Sequence, residues 1–72
     1  MNTKVLANLG KQLKSIRKEK GLTQEDLADK VGIHPTYVGK LELGKCNPST
    51  KMLFRISRGL GVKLYDLFIF DK

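Results

Sequence analysis

Seventy-two residues, 40% of them hydrophobic and 29% charged, suffice for one small folded domain and leave no room for a second. Fourteen Lys and Arg against seven Asp and Glu give a formal charge of +7 and a bias toward a polyanionic partner. One cysteine and one histidine exclude an internal disulfide and a metal site at zinc spacing. No apolar run reaches the roughly 18 residues of a membrane span, and Lys, Asn and Gln interrupt the start of the chain too often for a signal peptide. No Ser/His/Asp or Cys/His arrangement is spaced for catalysis, and no glycine-rich loop follows a strand. The expectation is therefore a cytoplasmic, non-enzymatic single domain over residues 1–72, with no cofactor, no small-molecule substrate and no membrane contact.

Met1 to about Lys4 carries little structural signal. Val5 or Leu6, Leu9, Leu13 and Ile16 then recur at helical spacing up to Gly21, which predicts a first helix whose other faces hold Lys11, Lys14, Arg17, Lys18 and Lys20. Thr23 offers a hydroxyl N-cap, and Asp26 stands where the returning acid of a capping box belongs, so a second helix starts here with Leu27, Ala28 and Val31 inward. Gly32 supplies the positive φ that ends it. His34 and Pro35 open a third helix, about Pro35 to Leu43, with Val38 and Leu41 inward; His34 could cap it, contact a phosphate or simply stand exposed. The segment Gly44 to Ser49 is a loop by composition. Cys46 within it reads as an inert small residue. Ser49 caps a fourth helix with Leu53, Ile56 and Leu60 inward and Met52 and Phe54 as further packing residues, ending at Gly61. A short fifth helix from about Leu64 to Phe68 precedes an apolar tail.

Two short capped helices joined by a glycine turn form a helix-turn-helix pattern. From Gln24 the small Ala28, the turn Gly32 and the apolar Val38 and Leu41 fall at the spacing that lets such helices cross closely. The run LTQEDLADKVGIHPTYVGKLELGKCNPSTKMLFRISRGLGV, with Leu13, Ile16 and Arg17 upstream, resembles the lambda-repressor and Cro-like helix-turn-helix family over most of the chain. The resemblance implies an all-α, compact five-helix bundle that binds double-stranded operator DNA, usually as a two-fold dimer. It also implies that Arg17 pairs with Glu42, that Gln24 holds a phosphate oxygen, and that Tyr37 is partly packed and partly phosphate-facing.

With Val38 and Leu41 inward, Pro35, Thr36, Gly39, Lys40 and Leu43 lie on the opposite side of the third helix, where base edges would be met. Thr36 can donate, accept or touch a thymine methyl, and Lys40 can reach guanine O6 and N7 or a phosphate. Gly39 suggests close approach of the helix backbone to DNA, with neutral drift as the competing explanation; the family more often has a polar residue there and Arg or Asn at Leu43. Lys45, Asn47 and Ser49 are the expected loop contacts to phosphate. Leu64, Leu67, Phe68, Ile69 and Phe70 crowd the C-terminal end and form either a homodimer interface or a flap over the chain's own core. The leading expectation is a sequence-specific transcriptional regulator on a near-palindromic operator, read through the major groove. The competing one is an antitoxin-type interaction protein that holds a partner through its apolar tail, with DNA binding secondary.

Overall fold

The protein is described here by a computed structural model covering residues 1–70. Among the described residues it folds into α1 (Thr3–Glu19), α2 (Gln24–Val31), α3 (Pro35–Glu42) and α4 (Thr50–Leu60), followed by a single 3-10 turn over Leu64–Phe68. The bundle is thus four α-helices and a turn rather than five helices. Five residues are too few to offset the cost of starting an α-helix alone. The turn instead closes locally: Asp66 N–H donates to the Lys63 carbonyl at 3.0 Å, and the Asp66 carboxylate accepts from Lys63 N–H at 3.0 Å. Gln12 of α1 occupies the Asp66 carbonyl at 3.0 Å, an acceptor that a longer helix would have used internally.

Each helix begins at the residue whose side chain can satisfy its free amides. Asn2 caps α1 by accepting from Val5 N–H at 2.8 Å, so the first residues carry a start signal that the apolar pattern does not reveal. Thr23 and Asp26 form a reciprocal capping box at 3.0 and 2.9 Å. The Thr23 backbone N–H, with a further contribution from the Thr23 hydroxyl, holds the Asp26 carboxyl below its ordinary pKa. Stability from this cap is therefore present above the ordinary carboxylate pKa and is lost as pH falls through the lowered one. Ser49 caps α4 through Met52 N–H at 3.0 Å. At the other end of α2, Gly32 takes φ 80°, and the Arg55 guanidinium reaches across from α4 to donate to the Val31 carbonyl at 2.7 Å.

One core joins all the elements. Leu9, Leu13 and Ile16 from α1 meet Leu27, Ala28 and Val31 from α2, Val38 and Leu41 from α3, and Leu53, Ile56 and Leu60 from α4, with Leu67 closing the end. Phe54, expected as a packing residue, is 49% exposed, because Leu53, Ile56, Ser57 and Leu60 already define the buried stripe of α4 and position 54 falls outside it. The tail is divided by the same geometry. Leu67 is fully buried in the chain's own core and so is not available to an interface, Leu64 and Phe70 are half-buried against it, and Phe68 and Ile69 remain exposed beside Tyr65.

The position of α3 depends on its fit against α1. A Cβ added to Gly10 would lie 2.5 Å from the Leu41 carbonyl oxygen and 2.6 Å from that of Glu42, both backbone atoms that cannot rotate away. Gly44, at φ 71°, sits against the Ala7 backbone in the same contact. Gly10→Ala is expected to force the helices apart and destabilise the fold by about 1–3 kcal/mol, lowering Tm by roughly 4–24 °C in a domain of this size. Thermal unfolding followed by circular dichroism checks this; an unchanged or raised Tm would mean that the α1–α3 approach is not constrained at Gly10.

Candidate nucleic-acid interface

The hinge between α2 and α3 is set by four residues. Gly32 and Ile33 both return their N–H groups to the Ala28 carbonyl, at 2.8 and 3.0 Å, while Ile33 is half-buried in the bend. His34 then accepts the Thr36 amide on Nδ1 at 3.1 Å, the cap role among the alternatives open to it, and Pro35 takes the first helical position where no N–H is required.

Behind α3 lies a buried ion pair. Arg17 donates from Nε to Glu42 Oε2 at 2.6 Å and from Nη2 to Oε1 at 3.1 Å, and its Nη1 reaches the Leu22 carbonyl at 2.7 Å. Both side chains are almost wholly enclosed, and no buried side-chain N or O among the described residues lacks a partner. Glu42 takes a third bond, from Gln24 Nε2 at 3.0 Å. A carboxylate can only accept, so this contact turns the Gln24 amide with its nitrogen inward and its oxygen free. The amide sits over Gly39, where an added Cβ would lie 3.8 Å from both of its polar atoms.

Thr36, Lys40 and Leu43 are exposed along one side of α3, with Leu43 67% accessible as the cap residue after the helix; Pro35 and Gly39 are half-buried on the same element. Gln24 is exposed at the start of α2. Lys45, Asn47 and Ser49 are exposed in the following loop, and the Ser49 hydroxyl that caps α4 keeps its own proton free to donate. Tyr37 is half-buried against Cys46. Burial, with a smaller contribution from Cys46, pushes the Tyr37 phenol above its ordinary pKa. Burial likewise raises Cys46, outweighing the opposing effects of the Tyr37 contact and the Lys40 charge, so Cys46 is a protonated packing thiol and not an activated one. Among the described residues no group of three or more His, Cys, Asp or Glu could hold a metal, and no helix is long and apolar enough to cross a membrane.

Two contacts that hold this site were not anticipated. The Gln24–Glu42 bond requires the crossing of α2 and α3 to be known. Gly10 had a visible signal, a glycine inside an otherwise regular helical pattern, which marks a close approach without saying to what.

The sequence profile of the helix-turn-helix family matches residues 13–67. An uncharacterized HTH-type transcriptional regulator of Archaeoglobus fulgidus is 42% identical over 60 residues, 83% of this chain and 86% of that protein. Multiprotein-bridging factor 1 of Candida glabrata is 41% identical over 61 residues, 85% of this chain but only 40% of that protein. Among solved structures, the restriction-modification controller protein C.AhdI from Aeromonas hydrophila superposes with a TM-score of 0.86 at 35% identity, covering 88% of this chain and 96% of that one. With capped helices, hinge and core in the corresponding arrangement, the chain belongs to the helix-turn-helix family of the lambda-repressor and Cro-like type.

Proposed function

We propose that this protein is a sequence-specific DNA-binding transcriptional regulator that lays α3 in the major groove of a near-palindromic operator as a homodimer, without enzymatic activity or cofactor. The observation that carries the reading is the exposed side of α3, where Thr36, Lys40 and Leu43 stand clear of the fold between Gln24 and the basic loop after the helix. At roughly 1.5 Å per residue α3 is about 12 Å long, a match to a major groove about 12 Å wide. Thr36 and Lys40 read base edges, with Pro35 and Gly39 bringing the helix backbone close. Gln24, through its backbone N–H and the Nε2 proton that Glu42 does not use, holds a phosphate together with Tyr37, Lys45, Asn47 and Ser49, and the charge of +7 supports this polyanion partner. The relatives named as transcriptional regulators and as a restriction-modification controller support the same reading.

Dimerisation is assigned to the apolar residues that the fold leaves uncovered: Tyr65, Phe68 and Ile69 are 63%, 38% and 56% exposed on one short segment. A two-fold contact there would set two copies of α3 on successive turns of duplex, roughly 34 Å apart. The alternative occupant of this segment is a different protein. It draws support from the multiprotein-bridging relative, whose name describes contact with other proteins.

Lys45→Ala is expected to weaken binding to all duplex sequences about equally and to flatten the salt dependence by roughly one unit of slope. Thr36→Ala should instead change preference at one or two operator positions, by about 1–3 kcal/mol each. Selection from a random DNA pool followed by salt titration distinguishes these outcomes; a uniform loss for Thr36→Ala removes its base contact.

Gly39→Ala separates a fold requirement from a DNA requirement, because the protein has room for the methyl group. The variant should be more stable by up to about 1 kcal/mol, since alanine favours helix over glycine, and should bind its operator more weakly. Undiminished operator affinity would show that DNA does not approach the helix backbone there.

Sedimentation equilibrium at tens of micromolar should give a dimer for the wild type and a folded monomer for Ile69→Asp. A monomeric wild type would assign the exposed segment to a different protein.

A further inference from the structure

We propose that the groove between α2 and α4, rimmed by Lys20, Lys30, Arg55 and Arg58, is a docking site for an acidic segment of a partner protein that also carries an apolar side chain. The groove is floored by Val31, Gly59 and Leu60 and lies against the C-terminal ends of α1 and α2. None of Gln24, Thr36, Lys40, Lys45, Asn47 or Ser49 lines it. Its cations are therefore separate from those assigned to the DNA.

Three features make this more than a solvated basic face. The sole ion pair among the described residues is Arg17–Glu42, so no described carboxylate lies within 4.0 Å of any of the four rim cations. Two of those cations are also held in place: Arg55 is anchored on the Val31 carbonyl at 2.7 Å, and the Arg58 guanidinium lies 5.8 Å from the centroid of the Phe54 ring. Like charges fixed near one another, with little freedom to spread into solvent, favour a multivalent anion whose carboxylates can meet them together. Finally, a Cβ on Gly59 would meet Val31 Cγ2 at 2.8 Å, so the glycine both permits the close α2–α4 approach and leaves the groove floor without a side chain.

Phe54 decides between the two kinds of polyanion. Its ring is 49% exposed beside Arg58, although the core of α4 lies elsewhere. Duplex phosphates offer nothing apolar to such a ring, whereas a polypeptide can set a leucine or phenylalanine on it while its carboxylates engage the rim. An acidic peptide uses both halves of the site.

The test uses the full chain and a fluorescein-labelled ten-residue peptide of Glu and Asp with one central Phe, read by fluorescence anisotropy. Lys30→Glu/Arg58→Glu should weaken peptide binding at least about tenfold, and Lys30→Gln/Arg58→Gln by a smaller factor, with operator binding and Tm retained. Lys4→Glu/Lys11→Glu makes the same change in net charge away from the groove and should leave peptide affinity within about twofold. Replacing the peptide's Phe by Ser should weaken wild-type binding and make no difference to Phe54→Ser. Equal losses from the two charge-reversal pairs would reduce the effect to net charge and overturn the proposal. Retained peptide binding by the groove variant overturns it as well. A loss of operator affinity with a flattened salt slope in the groove variant would assign the groove to DNA instead.

Discussion

The buried pair of Arg17 and Glu42 is the contact on which the arrangement of the candidate interface depends. Removing two charges from water is costly, and their attraction offsets that cost only when geometry and the remaining hydrogen bonds are complete. Here they are complete. Arg17 places all three guanidinium nitrogens, two on Glu42 and one on the Leu22 carbonyl, and Glu42 receives a further bond from Gln24. The pair links α1 to the last turn of α3, and through Gln24 to the first turn of α2. Three of its four connections end on Glu42, in the helix that is proposed to enter the major groove, and the fourth holds Leu22 in the connection between α1 and α2.

Such a pair constrains direction more than it adds stability. Hydrophobic burial is non-directional, so the covering of Val38 and Leu41 does not by itself fix how α3 lies on α1. The Gly10 contact limits the approach distance, since two carbonyl oxygens occupy the space of its missing side chain. Distance and direction are thus set by different residues, one apolar and close-packed, the other ionic. The face proposed to read DNA, if held in this way, would meet base edges without the entropy cost of ordering it on binding.

Charge is distributed with the same division. Lys40 and Lys45 lie along the α3 side of the molecule, and the α2–α4 groove gathers another set around Gly59. The acids Glu25 and Asp26 stand at the N-terminus of α2, where they suit the helix dipole and the cap. Asp26 feels the Lys30 charge on the same helix, but neither acid forms an ion pair within 4.0 Å with the cations of either basic region. With an excess of +7 and a single ion pair among the described residues, most of the described cations have no carboxylate partner within the fold.

Local chemistry determined much of this protein from the sequence alone. Thr23 with Asp26, Gly32 before His34–Pro35, and Ser49 with Gly61 each specify a helix end through groups within a few residues, and the apolar spacing of α1, α2, α3 and α4 specifies which side of each helix is buried. These are short-range effects and survive without knowledge of the fold. The outcome was otherwise where several elements compete for the same space. Leu67 and Ile69 are both large apolar residues two positions apart, yet one is buried and the other 56% exposed, because the 3-10 turn directs position 67 into the end of the core. Phe54, by contrast, falls outside the buried stripe of Leu53, Ile56, Ser57 and Leu60 by helical spacing alone. Gly10, Gln12 and Arg55 act on partners 24 or more residues away, and their roles exist only once the helices have crossed. Periodicity determines which residues seek cover; tertiary packing decides which obtain it, because the helix crossings and the final turn fix which positions face the core.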